Sequence, residues 1–262
     1  MTDGHEPLSD VLVHRKWRAV ADAIEEMNDV ASNDADAFPV LPGSSLFTDD
    51  QASSPFRVSG VLRSCINAGI DHLHALKSLV LDAGLLHVAA PFSLVRGGLE
   101  NFAAATWVLT GQSRDQRVER ALRWHAQNVK DGNRAMGDLN LPGSRPLGEQ
   151  WELLDACADR NGLGRDFRNG YFSSDALKVT ESAFPHLHLG VLRPWQICSG
   201  FAHGRPWAFQ GASHQERTDD VDPEMVNVRV SSSLVTVLYP TLAAMELVDA
   251  FLDKYRESST AS

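Results

Sequence analysis

The sequence predicts an all-α fold: a helical bundle of about six to seven helices, with irregular insertions. Apolar residues recur at three- and four-residue spacing along most of the 262 positions. One stretch, from residue 90 to 111, is apolar nearly all round, as expected for a central buried helix. The chain is 43% hydrophobic, so it has enough apolar material for a sizeable core.

The first predicted helix follows "SDVLVHRKWRAVADAIEEMNDVAS", with Ser9 or Asp10 as its N-terminal cap. The next segment, "NDADAFPVLPGSSLFTDDQASSPF", holds three prolines and predicts a loop ordered by apolar anchors. A second helix is expected over Arg57–Asp82, where apolar residues again share one face. Residues 1–56 should pack on a core bundle formed by residues 57–257.

The third helix should begin near Ala90 or Pro91 and end at Gly111. Gly97 and Gly98 lower its helix propensity by about 1 kcal/mol each relative to alanine, which predicts a neighbouring helix packed very close. Five of its residues are predicted to be buried: Leu94, Leu99, Phe102, Ala103 and Val108.

The remaining elements are also mainly helical. Ser113 should cap a fourth helix, "SRDQRVERALRWHAQNVKDGNRAMGDL". The other expected helices are Glu149–Arg160, a short one at Asp175–Ser182, Leu189–His203, and a last one at Ser231–Tyr255 with Pro240 inside it. The stretch 204–230 should be irregular and could include a short hairpin. Residues 1–262 are predicted to be a single all-α domain with a disordered tail at 258–262.

Composition restricts the classes of function. The net charge of −10 disfavours nonspecific nucleic-acid binding, although a local basic groove stays open. Cys65, Cys157 and Cys198 are far apart and lie in apolar helical contexts, which predicts buried free thiols in a reducing compartment. The polar, acidic N-terminus is not a signal peptide, and no run approaches 18 apolar residues. We therefore expect a cytoplasmic protein with no membrane partner and no cofactor.

Arg96 and Glu100 form the first candidate site, within "LVRGGLENFAA". Their i,i+4 spacing places both side chains on one face of an otherwise apolar helix. A buried arginine must be paired, because an uncompensated charge in a core costs several kcal/mol. One interpretation is a structural ion pair. The other is an arginine that Glu100 orients for a phosphate or carboxylate.

Ser199 and His203 form the second candidate site and also lie four residues apart on one helix face. Gly204 is a natural C-terminal cap, and Pro206 prevents continuation of the helix. A Ser–His pair in helical spacing, without a third orienting residue, is weak support for hydrolysis. His203 could instead be a general acid or base, a ligand contact, or a structural hydrogen-bonding group.

Two further patterns carry less information. Asp71-x-x-His74 has the spacing of carboxylate metal bundles, but no second such motif is present and His186-x-His188 lies in a loop, so we predict no metal site. Arg120 and His125 match an Arg-x4-His spacing that is also expected by chance. Their arginine-rich helix predicts a solvated or interface face.

Three stretches of the sequence together resemble a known group of helical proteins. "LVRGGLENFAAATWVL", "RVERALRWH" and a late "SGFAHG" before a final long helix resemble a group of actinobacterial helical proteins. That group in turn resembles the HEPN-like helical domains, named for higher eukaryotes and prokaryotes nucleotide-binding. The resemblance covers roughly residues 57–257 and implies the same helical fold.

Ribonucleases of the HEPN type pair an arginine with a histidine in an Arg-x4–6-His motif near a late helix, and the site is often completed across a dimer. Here the late histidine is His203, and nine residues separate it from the preceding Arg193. Arg120 and His125 match the spacing but lie on an earlier helix. The resemblance therefore implies a non-catalytic relative, or a site in which Arg96 supplies the cation from another helix.

Two hypotheses follow. The first is a HEPN-like ribonuclease or nucleotide-acting protein of a defence or toxin system. It would be a homodimer in which His203 is the general acid or base and Arg96 stabilises the phosphate charge. The second is a non-catalytic helical protein that binds a partner or small ligand in a pocket around Glu100, Ser199 and His203. In either case Ser199 and His203 should face the Arg96–Glu100 pair, with Glu100 also accepting a hydrogen bond from a partly protonated imidazole.

Overall fold

The structure is a computed structural model that describes residues 9–34, 37–139, 145–218 and 227–261. Over these residues it contains ten α-helices and one two-stranded antiparallel sheet. The all-α prediction is confirmed. The number of helices exceeds the predicted six to seven because short helices occupy segments that were expected to be irregular.

The α-helices are α1 Asp10–Asn33, α2 Ser45–Ser53, α3 Val58–Lys77, α4 Ala90–Leu109, α5 Arg114–Met136, α6 Leu147–Arg160, α7 Ser173–Ala183, α8 Leu192–Ala202, α9 Pro206–Ala212 and α10 Leu234–Ser259. A π-helical turn, Ser78–Asp82, follows α3, so the predicted second helix is found at nearly its full length. Short 3₁₀ segments lie at Gly137–Leu139 and Asp166–Asn169. The sequence allowed a short hairpin before the last helix, and the structure shows an antiparallel pair of strands, β1 His214–Arg217 and β2 Val228–Ser231.

Serine hydroxyls cap four of the described helices, including α10, where Oγ of Ser233 accepts from Thr236 N at 3.3 Å. The Oγ atoms of Ser9, Ser44 and Ser113 each accept a hydrogen bond from the backbone N–H three residues later, at 3.4, 3.1 and 3.2 Å. Each hydroxyl satisfies a donor that the first turn leaves unpaired. Ser9 and Ser113 are the caps that the sequence predicted.

Two segments differ from the prediction. The expected loop before the second helix contains α2, in which Leu46 is fully buried and Asp49 is only 1% exposed. At the other end of the chain, α10 extends to Ser259, so the predicted tail at 258–262 is wrong for its first residues. The carbonyl of Ser258 accepts from Ser45 Oγ at 3.1 Å, and that of Ser259 accepts from Leu41 N at 2.9 Å.

The chain divides into two compact units. Unit 1 comprises the described parts of residues 1–35, 68–100 and 185–248, and unit 2 those of residues 36–67, 101–184 and 249–262. Helices α3, α4 and α10 each contribute residues to both units. The single domain expected from the sequence stays a prediction.

In unit 1, a neighbouring helix packs so closely that its side chains fill the space that Cβ atoms of Gly97 and Gly98 would occupy. A Cβ added at Gly97 would lie 2.5 Å from Cδ2 of His72, and one at Gly98 would lie 2.9 Å from Cδ2 of Leu73. The predicted close approach is therefore present. The approaching helix is α3, which carries His72 and Leu73.

Aromatic contacts complete the frame of unit 1. The rings of Phe92 on α4 and Phe201 on α8 stack with centroids 3.8 Å apart. Nε1 of Trp17, a buried residue of α1, donates to the carbonyl of Leu234 at 3.0 Å. The ring stack fixes α4 and α8 side by side within the unit, and the Trp17 bond joins α1 to the start of α10.

Unit 2 has its own apolar core, which is built mainly by α5 and α6. Its fully or nearly buried members are Val118, Leu122, Ala126, Val129, Leu154, Cys157, Ala158 and Phe167. Four of the five core residues predicted for α4 are buried: Leu99, Phe102, Ala103 and Val108. Leu94 is only partly buried, and its neighbour Val95 is fully buried instead.

Helix α10 is the one described helix that is long and apolar enough, by length and composition, to cross a membrane. The mean hydropathy of its most apolar window is 1.5, and 56% of that window is buried within the structure. The core helix of a folded domain has the same length and composition. The absence of a membrane partner stays a prediction.

Candidate functional site

Arg96 and Glu100 form the predicted ion pair on α4. Nε of Arg96 donates to Oε1 of Glu100 at 2.9 Å, and the two side chains are 26% and 24% exposed. Both therefore lie at the boundary between the apolar interior of unit 1 and solvent. The pair holds the guanidinium in one orientation while part of it stays accessible.

Trp195 adds a second donor to the same carboxylate. Its Nε1 on α8 donates to Oε1 of Glu100 at 2.7 Å. An indole N–H can only donate, so a carboxylate is a suitable partner for a partly buried tryptophan. Trp195 is not among the predicted site residues, although it lies one turn before Ser199 on the same helix face.

His203 caps the C-terminus of α8. Its backbone N–H donates to the carbonyl of Ser199 at 3.0 Å, and Gly204 follows with φ of 62°. Arg205 N then donates to the carbonyl of Gly200 at 2.9 Å, which closes the helix end as predicted. This closure fixes where the imidazole leaves the helix.

The imidazole contacts Arg96. Nη1 of Arg96 lies 3.2 Å from Nε2 of His203. A guanidinium can only donate hydrogen bonds, so Nε2 is the acceptor and the ring proton belongs on Nδ1. The predicted contact with Arg96 is present, but the predicted bond from a protonated imidazole to Glu100 is replaced by an Arg96 bond to a neutral ring.

Ser199 has a smaller part than predicted. It is partly buried, and its carbonyl accepts the bond from His203 N. Among the described residues, no hydrogen bond joins its hydroxyl to Arg96, Glu100 or His203. The polar cluster of unit 1 therefore consists of Arg96, Glu100, Trp195 and His203.

The cluster is open to solvent on the His203 side. His203 is exposed, as are Arg193 and Arg205 near the two ends of α8. Trp207 on α9 packs its ring against Gly200, yet it remains 52% exposed. An anionic group could therefore reach the guanidinium from solvent and meet an aromatic surface nearby.

Cys198 lies beneath the cluster and is fully buried. Burial raises the pKa of its thiol far above the ordinary value, although the charge of Arg96 partly opposes the shift. Because the thiolate is the reactive form, Cys198 is not a nucleophile here. All three cysteines are buried free thiols, as the sequence predicted.

Arg120 and His125, the pair with HEPN-like spacing, do not meet. Nη1 of Arg120 donates to the carbonyl of Trp107, and its guanidinium lies 5.3 Å from the centre of that indole. The ring of His125 packs against Phe56, with centroids 4.9 Å apart. Five residues on a helix turn a side chain by about 140° away from the first, so the two residues face different surroundings.

Burial lowers the pKa of His125 to about 4. The ring is therefore neutral at physiological pH and behaves as a packed aromatic group. Neither Arg120 nor His125 has a free functional group facing the other, and we do not place them in one site.

The arginines of α5 do not form a solvated face, and the alternative that the sequence offered, an interface face, stays a prediction. Arg117 forms a two-pronged pair with the buried Asp49, at 2.6 and 2.9 Å, and Arg123 pairs with Glu119 at 2.9 Å. Together with Arg120, these residues bind to the protein itself. They fix the structure of unit 2 and leave little charge for a ligand.

The histidine–carboxylate patterns also form ordinary pairs. Nε2 of His74 lies 3.6 Å from Glu25, and Nδ1 of His188 lies 3.9 Å from Glu246. In the part of the chain that the structure describes, no group of three or more histidine, cysteine, aspartate or glutamate side chains could hold a metal ion.

Comparisons of the chain with known protein families, curated proteins and solved structures found no match. The resemblance to HEPN-like domains therefore stays a prediction.

Proposed function

We propose that the chain is a HEPN-like ribonuclease, with the cluster of Arg96, Glu100, Trp195 and His203 as its active site. The observation that carries this proposal is the 3.2 Å contact between Nη1 of Arg96 and Nε2 of His203, at a solvent-exposed position. A fixed cation beside a neutral imidazole provides the two groups that phosphodiester cleavage needs: a charge for the phosphate and a base for the nucleophile.

The chemistry uses both groups. A phosphate of the RNA inserts beside Arg96, whose free N–H groups donate to the non-bridging oxygens. As the phosphate takes over the guanidinium, the bond from Nη1 of Arg96 to Nε2 of His203 breaks. The freed Nε2 lone pair then takes the proton of the adjacent 2′-hydroxyl, which attacks phosphorus. The O2′–P bond forms, the P–O5′ bond breaks and the leaving oxygen takes a proton from water. The hydroxide that remains takes the proton held by His203, which restores the neutral ring. The products are a 2′,3′-cyclic phosphate and a 5′-hydroxyl end.

Glu100 and Trp195 act through Arg96. With two donors on Oε1, at 2.9 and 2.7 Å, the carboxylate is held in place and in turn orients the guanidinium. Such a preorganised donor stabilises charge without reorganising during the reaction. Arg193 and Arg205 would place positive charge beside the site and so weaken the local repulsion between RNA and a chain whose net charge is −10.

The test is cleavage of 5′-labelled single-stranded RNA by the full chain and by His203→Ala. Removal of a general base should lower the rate about 10²- to 10⁴-fold. His188→Ala is the matched control, because His188 lies in the same unit with its side chain 90% exposed. Intact RNA with the wild-type protein, or equal cleavage by His203→Ala, would contradict the proposal.

A second candidate is binding of a nucleotide or other anion without cleavage. It is favoured by the structural roles of Arg120 and His125, which leave the HEPN-spaced pair without a catalytic function. Calorimetry with a mononucleotide separates the two functions. Binding that is lost in Arg96→Met, with no RNA cleavage by the wild type, would support the second candidate.

The homodimer belongs to the same proposal, because HEPN-type sites are often completed across a twofold axis. Light scattering should give about twice the chain mass of 28.7 kDa at high concentration. A mass of one chain would contradict this part of the proposal and leave the Arg96–His203 site unaffected.

A further inference from the structure

A cavity of about 430 Å³ lies in unit 2, apart from the residues used above. Four of its lining residues come from one face of α5: Trp124, Gln127, Asn128 and Asp131. Their spacing of three, four and seven residues from Trp124 places them on one side of the helix. The opposite wall is formed by Tyr171, Phe172 and Ser173.

The wall opposite α5 is held in place by the chain just before it. Lys130 Nζ, on α5, donates to the carbonyls of Arg168 at 2.6 Å and Asn169 at 3.2 Å. Gly170 follows with φ of 85°, a left-handed conformation that favours glycine. The side of Gly170 on which another residue would carry its Cβ is occupied by the side chain of Gln127. This anchored turn brings Tyr171 and Phe172 against α5.

Aromatic rings form much of the lining. Trp124 and Tyr171 meet at a centroid distance of 4.8 Å with their planes at 66°. Tyr171 also contacts Trp107 at 5.5 Å, so its ring is supported from behind. Phe172 is 60% exposed although it is large and apolar. Ring faces are the negative part of the aromatic quadrupole and attract cations.

The one charged lining residue is an acid. Both carboxylate oxygens of Asp131 lie 3.0 Å from Nε2 of Gln127, a neutral donor that orients the group without cancelling its charge. Arg134 lies 3.8 Å from Asp131 with its side chain 81% exposed, and a pair this exposed contributes little. Of the described lining residues, none carries a positive charge.

We propose that this cavity binds an organic ammonium cation, with the rings of Trp124, Tyr171 and Phe172 around the alkyl groups and Asp131 facing the charge. A phosphate or carboxylate is disfavoured, because it would meet the acid and no positively charged group among the described lining residues. An uncharged apolar molecule would fill the space but leave the Asp131 carboxylate without a ligand. This inference uses contacts within unit 2 alone and is independent of the ribonuclease proposal.

The test is calorimetric titration of the full chain with choline chloride at constant ionic strength. The reference ligand is 3,3-dimethyl-1-butanol, which has carbon in place of the quaternary nitrogen and is otherwise of the same shape. Choline should bind, and the neutral alcohol should bind at least several times more weakly. Adenosine serves as a second reference, because a nucleobase could also stack on these rings.

Two variants locate the binding. Asp131→Asn keeps the shape of the side chain and removes its charge. Phe172→Leu keeps apolar area and removes the ring. Each should weaken choline binding about two- to fivefold, the range for one exposed cation–π or charge contact. The matched control is Asp115→Asn, which makes the same charge change at an exposed position of α5 outside the cavity.

The proposal is overturned if choline does not bind at millimolar concentration, or if choline and the neutral alcohol bind equally. It is also overturned if adenosine binds in preference to choline. Equal binding by wild type, Asp131→Asn and Phe172→Leu would place any choline site elsewhere and would reject this cavity.

Discussion

Nη1 of Arg96 lies 3.2 Å from Nε2 of His203, although 107 residues separate the two in sequence. The contact depends on two separate constraints. Glu100 holds the guanidinium through Nε, and the closed end of α8 fixes the imidazole. Changes to either support should therefore alter the site without removing the two groups that form it.

Glu100→Gln tests the first support. The variant keeps the size of the side chain but loses the charge that orients Arg96, so RNA cleavage should fall roughly tenfold through looser positioning of the cation. The melting temperature should change little, because the pair is partly exposed. Glu119→Gln is the control: Glu119 pairs with Arg123 at the same i,i+4 spacing and with similar exposure, but on α5.

The measurements are kcat and KM for both variants, together with NMR spectra of the His203 imidazole nitrogens. We expect a changed imidazole signal in Glu100→Gln and an unchanged one in Glu119→Gln. Identical kinetics and spectra for the two variants would show that Glu100 does not position the site.

Gly98→Ala tests the close approach of α3 and α4. Alanine favours a helix by about 1 kcal/mol over glycine, so propensity alone predicts stabilisation. The added Cβ would lie 2.9 Å from a methyl carbon of the fully buried Leu73, however, and overpacking of this kind costs about 1–3 kcal/mol. We expect a net loss in the free energy of unfolding, measured by urea denaturation.

Gly132→Ala is the matched control for that experiment. Gly132 lies within α5, and an added Cβ there meets no atom within 4 Å. The free energy of unfolding should rise by up to about 1 kcal/mol. Stabilisation by both substitutions would mean that the contact with Leu73 relaxes without cost.

Arg117→Met should destabilise the protein strongly. Asp49 is 1% exposed, and burial raises the pKa of its carboxyl while Arg117 opposes that shift. Removal of the arginine leaves a buried acid without its charged partner, which costs about 3–5 kcal/mol. Adding Asp49→Leu to the variant should recover part of the loss, as read from chemical denaturation.

Arg114→Met provides the comparison, because Arg114 is half exposed on the first turn of the same helix and pairs with an exposed acid. Its effect should stay within about 0.5 kcal/mol. Equal effects of the two arginine substitutions would show that the Asp49 pair is not a stabilising element of unit 2.

His125 should make the stability of the protein dependent on pH. Burial lowers the pKa of its ring to about 4 in the folded state, against an ordinary value of 6.5. Between these values the unfolded chain binds a proton that the folded chain does not, so the free energy of unfolding falls as pH decreases from about 6.5 to about 4. The full effect is about 3 kcal/mol at most.

Denaturation curves at a series of pH values give the test. His125→Leu should flatten the decrease in that window, whereas His14→Gln, at an exposed position of α1, should leave it unchanged. An unaltered pH profile in His125→Leu would show that this ring is solvated in the folded protein.

The helices could be predicted where the periodicity of apolar residues and the capping residues indicate the same boundaries. In α5, the cap at Ser113 and a regular apolar stripe fixed both the start and the type of the element. In α2 these two signals give no helix, because its nine residues have little amphipathic pattern and lie among prolines and serines. The burial of Leu46 stabilises this helix instead. Tertiary packing, which the local sequence does not encode, stabilises such short helices.

Half of the candidate site could be predicted from spacing within single helices. The i,i+4 relation paired Arg96 with Glu100 and placed His203 at a helix end. The contacts between helices could not be predicted in the same way. In the sequence, Trp195 resembles any apolar helix residue, and only the structure shows that its indole N–H donates to Glu100. The role of His203 as an acceptor from Arg96 likewise depends on the position of its ring.

The three buried thiols give the chain a reporter in each unit. Cys198 belongs to unit 1, whereas Cys65 and Cys157 belong to unit 2, and burial raises the pKa of each. A thiol-specific reagent can modify such a group only when its helix opens and the thiolate forms in water. The labelling rates of Cys198 and Cys157 therefore measure how often each unit opens, and unequal rates would reveal that one opens while the other stays folded.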